Sequence, residues 1–214
     1  MTNKSGKYIV IEGQDGTGKS TQAAKLAQYF SDRHQEVIIV EEPGGIVSTD
    51  QMRTIIKNRQ FGLDPMTNVL LFTAARRELW LKKIAPALRR GITVLSSRNW
   101  WSTLAYQHFG EGVIYDEIVE LTRANLPKRY FEPDAAVILT LSDAERAKRL
   151  LGRDDKSRAD SFESRGNDFQ DNVNRGYAQI AHDFHIPTIN GNATPDVVFL
   201  RIRDSIMQQN GDQK

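Results

Sequence analysis

One short stretch of the sequence has the residue types and spacing needed to hold a polyphosphate. Residues 13–21 read GQDGTGKST and fit the pattern G-x-x-x-x-G-K-[S/T]. Glycines let the backbone turn around phosphate oxygens and aim N–H groups at them, while Lys19 would reach the β- and γ-phosphates and the Ser20 hydroxyl would bind Mg²⁺. The predicted ATP-phosphate site consists of Gly13, Gln14, Asp15, Gly16, Thr17, Gly18, Lys19, Ser20 and Thr21.

This motif does not name the substrate, because GTPases, ATPases and small-molecule kinases share it. The tetrapeptide N-K-x-D, which specifies guanine in GTPases, does not occur in the sequence. A large ATPase would normally have a longer chain than these 214 residues. A kinase for a small molecule therefore fits the sequence best.

The elements that must position this loop follow a strand–helix alternation. Apolar runs rich in Val and Ile are YIVIE (8–12), VIIVE (37–41), ITVLS (92–96) and AAVILTL (135–141), with a shorter fifth run at HIPTIN (185–190). Helical periodicity occupies residues 17–32, 65–90, 115–126, 142–152, 168–184 and 194–209. Runs that are apolar on both faces are typical of parallel sheets covered by helices. We expect an α/β fold of three layers, with a central parallel sheet of about five strands flanked by helices.

Composition and charge exclude several classes of protein. The chain has no cysteine, which excludes disulfides, thiol catalysis and zinc–thiolate sites. Its formal net charge of +2 is too small to favour a nucleic-acid partner. No stretch approaches the roughly 18 apolar residues that span a bilayer, and the N-terminus lacks the apolar core of a signal peptide. We expect a cytoplasmic protein without membrane or nucleic-acid partners, formed as a single domain over residues 1–214.

Four further stretches resemble thymidylate kinases of the bacterial kind, which are P-loop nucleoside monophosphate kinases. They are EEPGG (41–45), LLFTAARRE (70–78), SRNWWSTLAYQ (97–107) and EPDAAVILTL (132–141). Each is weak alone, but their order and spacing match the family from residue 7 to about 190. The resemblance implies ATP-dependent phosphorylation of dTMP to dTDP by direct in-line transfer, with Mg²⁺ as the cofactor, in a homodimer.

The arginines of these stretches suit a nucleotide acceptor on chemical grounds. Arg53 and Arg98 follow the second and third apolar runs, and an open α/β sheet binds its ligands at the carboxyl ends of its strands. The planar guanidinium group gives bidentate hydrogen bonds to phosphate. Taken alone, Arg53 and Arg76 would be solvated helix charges, and Phe72 would be a core residue. Arg76 and Phe72 are four residues apart, so they share one helix face.

The resemblance assigns further roles around the acceptor. It implies that Phe72 stacks on thymine, that Arg76, Thr103 and Gln107 contact the base, and that Tyr106 lies against the sugar. Asp15 matches a carboxylate near the 3′-hydroxyl and the metal. The implied substrate-binding set is Asp15, Glu42, Pro43, Arg53, Phe72, Arg76, Arg98, Thr103, Tyr106 and Gln107.

A charged segment at about 149–166 is predicted to be a mobile lid. A charge run is more often only a solvated surface. In the family, however, a cation for the transferring phosphoryl group comes from the phosphate loop or the lid, and residues 14–17 contain no basic side chain. Arg149, Arg153 and Arg158 are the candidates, with Arg153 preferred by position. The predicted catalytic residues are Lys19, Arg98 and Arg153, and the predicted metal ligand is Ser20.

The family usually has an aspartate immediately before the arginine of its D-R-x-x-x-S-x-x-A-Y-Q pattern, and here that position is Ser97. Three interpretations stay open. Phosphoryl transfer tolerates the change, because it depends on positioning and electrostatics and Mg²⁺ keeps several waters. Alternatively, the acceptor is another deoxynucleoside monophosphate such as dUMP. In the third, the chain is a catalytically impaired nucleotide-binding module.

Overall fold

The computed structural model describes residues 5–151, Phe162 and residues 165–211, and it confirms the α/β expectation. The sheet has five strands, all pairing in parallel, in the order β2-β3-β1-β4-β5. The strands are β1 (Tyr8–Gly13), β2 (Val37–Glu41), β3 (Thr93–Ser97), β4 (Ala135–Thr140) and β5 (Thr188–Asn190). The first four lie within a residue of the predicted runs, and the fifth is shorter than its run.

Helices connect and cover these strands. They are α1 (Lys19–Ser31), α2 (Val47–Lys57), α3 (Pro65–Leu79), α4 (Ala85–Arg89), α5 (Trp101–Thr103), α6 (Tyr115–Asn125), α7 (Lys128–Phe131), α8 (Asp143–Leu151), α9 (Asn167–Asp183) and α10 (Pro195–Gly211). A 3₁₀ turn lies at Arg59–Phe61, and π-helical segments lie at Trp80–Ile84 and Leu104–Gly110. Within the ranges the structure describes, no helix is long and apolar enough to cross a membrane.

Several features of the helices differ from the sequence expectation. Helix α2 was not predicted, because its residues are largely polar and its first residue, Val47, is 77% exposed. The single helix predicted over 65–90 is interrupted by the π segment Trp80–Ile84. Pro86 lies two residues beyond the end of that segment, and a proline lacks the N–H that would bond the carbonyl four residues earlier.

The three central strands β1, β3 and β4 are buried on both faces, which explains why they are nearly continuous apolar runs. Tyr8 and Val10 of β1 belong to one apolar cluster, and Ile9 and Ile11 belong to the other. All four side chains have no exposed surface. Helices α1 and α10 cover the second face, while α3, α6 and α9 contribute to the first.

The carboxyl ends of three adjacent strands converge on one edge of the sheet. In the parallel register, Ser97 at the end of β3 lies opposite Ile11 on one side and Glu41 on the other. The loop from β1 to α1 and the turn after β3 leave from this same edge. Ligands bind at such an edge in open α/β sheets.

Close packing between α9 and the π segment Leu104–Gly110 depends on two glycines. A Cβ at Gly176 would lie 2.8 Å from the Phe109 ring, and one at Gly110 would lie 2.5 Å from the Phe169 ring. Real Cβ atoms do not approach ring carbons this closely, so larger residues would push the two elements apart. The π segment carries Tyr106 and Gln107, and π-helical turns are frequent at functional sites.

Helix α3 begins at a side-chain cap that can be tested by substitution. Asp64 accepts hydrogen bonds from the backbone N–H groups of Met66 and Thr67 through Oδ1, at 2.9 and 3.2 Å. We expect Asp64→Ala to lower the free energy of unfolding by about 1 kcal/mol, because it leaves two N–H groups without this partner. Urea unfolding measures the change.

The matched control lies on the same helix. Glu78 forms only a partly exposed ion pair with Lys82, so Glu78→Ala should cost less than about 0.5 kcal/mol. Equal losses in the two variants would contradict the capping role of Asp64.

Candidate active site

The loop between β1 and α1 has the backbone geometry of a phosphate cradle. Gly13, Gly16 and Gly18 have φ values of 136°, 88° and 95°, in the region that favours glycine. At Gly13 a Cβ would also lie 2.5 Å from the Leu139 carbonyl oxygen of β4. The Lys19 ammonium group donates to the Gly13 and Gln14 carbonyls at 2.9 and 2.8 Å.

The protonation of Lys19 depends on the charges around it. Burial and the nearby Arg98 charge lower the pKa of Lys19 to about 7, although Asp15 and Glu12 act in the opposite direction. Lys19 is 7% exposed. A triphosphate in the loop would reverse this balance, because negative charge favours the ammonium form.

Arg98 links the turn after β3 to the phosphate loop. Its guanidinium group donates to Asp15 Oδ1 at 2.5 Å, to the Ser102 hydroxyl at 3.1 Å and to the Tyr177 hydroxyl at 3.2 Å. The backbone φ of Arg98 is 75°, an uncommon value for a residue with a Cβ. Such a conformation persists only where its surroundings over-determine it.

Asp15 is held as a carboxylate at the centre of the site. Burial would raise its pKa, but the charges of Arg98 and Lys19 outweigh burial and place the pKa well below the ordinary value. The Tyr106 hydroxyl donates to Asp15 Oδ2 at 3.1 Å. Burial and the Asp15 charge in turn raise the pKa of Tyr106 well above its usual range.

A second carboxylate, which the sequence reasoning missed, fixes the turn after β3. Glu12 has no exposed surface, and its oxygens accept from the backbone N–H groups of Asn99 and Ser102 at 2.7 and 3.2 Å. They also accept from the Tyr177 hydroxyl at 3.0 Å and from the Ser102 hydroxyl. The signal available in the sequence was an acidic residue at the end of the apolar run YIVIE.

Arg76 lies deep in the site and is anchored on three sides. Its Nε donates to Glu42 Oε2 at 3.0 Å, its Nη1 to the Thr103 hydroxyl at 2.6 Å and its Nη2 to the Asn99 carbonyl at 2.9 Å. The Tyr130 hydroxyl donates to the same Glu42 oxygen at 2.6 Å. Burial raises the pKa of Glu42 to about 7, against the effect of the Arg76 charge. Arg76 is only 2% exposed, so it is not a solvated helix charge.

Aromatic rings form one wall of the site. Phe72 is half-buried, and its ring centroid lies 6.2 Å from that of Phe162, which in turn lies 5.8 Å from that of Tyr106. The Arg76 guanidinium carbon lies 5.2 Å from the Phe72 centroid. Phe162 was not predicted as a site residue, although it is an aromatic residue inside a charged segment, and that contrast was a usable signal.

The structure describes some of the arginines that were predicted to contact phosphate. Arg53 on α2 donates to Glu41 Oε1 at 2.7 Å. On α8, Arg149 donates to the Gly191 carbonyl at 2.9 Å and to Glu145 Oε1 at 2.8 Å. Arg146, which was not predicted, donates to the Asp15 carbonyl at 3.1 Å. Arg153 and Arg158, the other lid candidates, lie outside the described residues.

Ser97 is enclosed at the centre of the sheet edge. It is 2% exposed, and its hydroxyl oxygen has no hydrogen-bond partner among the described residues. Its carbonyl oxygen accepts from the Glu42 backbone N–H at 3.0 Å. The side chain lines the same cavity as the phosphate loop.

One cavity of about 700 Å³ brings most of the predicted residues together. Those that line it are Asp15, Gly16, Thr17, Gly18, Lys19, Ser20, Thr21, Glu42, Pro43, Arg53, Phe72, Arg76, Arg98, Thr103, Tyr106 and Gln107. Gly13 and Gln14 do not line it, and the Gln14 amide instead donates to the Gln170 carbonyl at 2.9 Å. Among the described side chains, no group of three or more His, Asp and Glu residues is arranged to hold a metal ion.

Comparison with known proteins identifies the family. The family model described as thymidylate kinase matches residues 11–202. The chain belongs to the thymidylate kinase family. The thymidylate kinase of Mesoplasma florum is 34% identical over 206 residues, covering 94% of this chain and 95% of that protein. The thymidylate kinase of Carboxydothermus hydrogenoformans is 31% identical over 206 residues, with coverages of 96% and 99%.

A solved structure shares the fold of this family member. The crystal structure of thymidylate kinase from Ehrlichia chaffeensis matches with a TM-score of 0.73 at 27% sequence identity. The match covers 94% of this chain and 98% of that chain. The resemblance stated from the sequence motifs is thereby confirmed.

The lowered pKa of Lys19 predicts that the protein takes up protons when ATP binds. At pH 8, above a pKa of about 7, the free amine is mostly neutral, and binding of a triphosphate should charge it. We expect ATP binding at pH 8 to take up about one proton. Calorimetry in buffers of different ionisation enthalpy measures this number.

The matched variant is Lys19→Arg, whose guanidinium group stays charged at this pH. It should bind ATP with little proton uptake. An equal uptake in both proteins, or none in the unsubstituted protein, would contradict the assignment to Lys19.

Proposed function

We propose that this protein transfers the γ-phosphoryl group of ATP to dTMP, giving ADP and dTDP. The observation that supports this most strongly is the single cavity of about 700 Å³ described above. Its lining includes the phosphate loop as well as Phe72, Arg76 and Thr103. The curated relatives are named thymidylate kinases, which favours dTMP over the alternative acceptors and over a binding module without turnover.

The acceptor is proposed to bind by its base and by its phosphate. Phe72 offers a ring face for stacking on thymine, and Arg76 has N–H groups beyond those used by Glu42, Thr103 and Asn99. Arg53 and Arg98 supply positive charge for the dTMP phosphate. Tyr106, whose hydroxyl donates to Asp15, is proposed to lie against the sugar.

The transfer requires no covalent intermediate on the enzyme. An oxygen of the dTMP phosphate forms a bond to the γ-phosphorus, while the bond from that phosphorus to the β–γ bridging oxygen breaks. The electron pair of the broken bond leaves with ADP. Lys19, released from the Gly13 and Gln14 carbonyls, stabilises the negative charge of the transferring group together with Arg98 and a lid arginine. For that lid position we keep Arg153 as the proposal.

The residues present suit Mg²⁺ as the cofactor. Ser20 is exposed at the start of α1 and lines the cavity, as does Asp15. Mg²⁺ prefers such hard oxygen ligands and usually keeps several waters beside the substrate phosphates. Ser20 would hold the ion, and the bound ion supplies charge neutralisation on the ATP phosphates.

The localisation, the oligomeric state, the single domain and the lid are also proposals. We propose a cytoplasmic homodimer of a single-domain subunit, with the lid at about 149–166. Exposed apolar side chains support a dimer face on the helical segment 65–84, where Leu70 and Leu81 are each 51% exposed. Apolar surface of this kind is typical of subunit interfaces.

The proposal is tested by measuring diphosphate formation with Mg²⁺ and ATP from dTMP, dUMP, dCMP, dGMP, dAMP and UMP separately. We expect the highest kcat/KM with dTMP. A higher value with another acceptor would contradict the substrate assignment. Binding of ATP and dTMP by calorimetry without turnover would contradict the kinase assignment.

Ser97 provides a separate test of the departure from the family pattern. Because its hydroxyl has no hydrogen-bond partner in the described residues, Ser97→Ala should keep kcat within about twofold of the unsubstituted protein. Ser97→Asp adds a carboxylate to the cavity, so it should lower the Mg²⁺ concentration that gives half-maximal rate. Steady-state rates across a Mg²⁺ titration measure both. A tenfold loss in Ser97→Ala would show that the hydroxyl takes part in the reaction.

A further inference from the structure

The Gln107 residue lines the cavity, and only one of its two polar side-chain atoms has a hydrogen-bond partner in the described structure. Its Nε2 donates to Glu111 Oε2 at 3.0 Å. Its Oε1 is buried without a hydrogen-bond partner in the described structure, and the residue lines the cavity while being only 1% exposed. A buried carbonyl oxygen without a partner is costly unless a ligand supplies a donor.

Glu111 also forms an ion pair with Arg165. The side chain of Glu111 is 1% exposed, and its Oε1 lies 2.5 Å from Nη2 of Arg165. The Arg165 guanidinium carbon lies 4.7 Å from the centroid of the Phe169 ring and 5.5 Å from that of Phe162. The carboxylate is thus fixed between an amide and an arginine that packs on two aromatic rings.

This arrangement sets the direction of the Gln107 amide. An amide can turn over and exchange its N–H₂ and C=O ends, but an ionised carboxylate can only accept hydrogen bonds. Burial raises the pKa of Glu111 above its ordinary value, while the hydrogen bond from Gln107 and the Arg165 charge act in the opposite direction and favour the ionised form. The N–H₂ end of Gln107 must therefore face Glu111, and the C=O end is left to accept from a ligand.

We propose that Glu111, supported by Arg165, is a positioning residue that makes the enzyme select pyrimidines with an N3–H donor. This inference rests on the proposed function, in which Gln107 contacts the base. Thymine and uracil have a hydrogen on N3 that the Gln107 carbonyl accepts. Cytosine has a lone pair on N3, which would face that carbonyl and leave two acceptors opposed.

Two substitutions at Glu111 separate positioning from a structural role. Glu111→Ala removes the acceptor, so either end of the Gln107 amide can face the cavity. In Glu111→Gln, the new carbonyl is drawn to Arg165 and the new N–H₂ group faces Gln107. That group should turn the Gln107 amide over and present its N–H₂ end to the base, which suits cytosine.

The experiment compares kcat/KM for dTMP, dUMP and dCMP. The ratio of kcat/KM for dTMP to kcat/KM for dCMP should fall by about 10-fold in Glu111→Ala, because the Gln107 carbonyl no longer has to oppose the N3 lone pair of cytosine. It should fall further in Glu111→Gln, because the Gln107 N–H₂ group would then donate to that lone pair. The dTMP-to-dUMP ratio should stay unchanged, since both bases carry N3–H. With dTMP, the substitutions should raise KM more than they lower kcat, because the base is remote from the reacting phosphorus.

The control is Glu120→Ala, which removes an exposed acidic side chain of α6 and should change neither ratio. Arg165→Ala offers a milder variant at a partly exposed side chain, and its dTMP-to-dCMP ratio should lie between those of the unsubstituted protein and Glu111→Ala. This variant keeps the test decisive if neither Glu111 variant folds.

The outcomes distinguish the two proposals. If the unsubstituted protein prefers dTMP and every variant keeps its dTMP-to-dCMP ratio, the positioning role is wrong while the proposed function stands. If the variants lose activity equally with all three acceptors, Glu111 is structural and the inference is overturned. If the unsubstituted protein does not phosphorylate dTMP, the proposed function itself fails.

Discussion

The buried carboxylate of Glu12 is the interaction on which the arrangement of the site depends. It lies at the end of β1, one residue before the phosphate loop, and its oxygens accept from the turn after β3 and from Tyr177 of α9. A carboxylate without exposed surface is costly unless donors surround it. Because these donors come from elements distant in sequence, satisfying Glu12 sets the position of each element relative to the phosphate loop.

The position of Arg98 follows from this constraint. The N–H groups that bind Glu12 belong to the turn that begins at Arg98, and Ser102 and Tyr177 contact both Glu12 and Arg98. The turn holds Arg98 with a φ of 75° and directs its guanidinium group at Asp15. Charge is therefore preorganised between the phosphate loop and the proposed acceptor site, so that little reorganisation is needed when phosphates bind.

The proposed acceptor site is built from polar groups of the same kind, each fixed by a partner. Glu42 and Tyr130 orient Arg76, and Glu111 orients Gln107. Fixed orientation matters because arginine and amide groups read a base by the direction of their hydrogen bonds. The hydroxyl of Ser97, which stands in place of the usual aspartate, forms no hydrogen bond with the described residues of this site.

The sequence by itself determined the phosphate loop, four of the five strands to within a residue, and the fold class. These depend on local rules, namely glycine conformations and the periodicity of apolar residues. The family motifs also indicated the residues that line the cavity, although their roles stay predictions. Only the tertiary structure brought Glu12 to Ser102, Glu111 to Arg165 and Phe162 to Phe72. Contacts between residues far apart in the chain leave no periodic pattern in the sequence, because they arise when packed elements meet and buried polar groups must find partners.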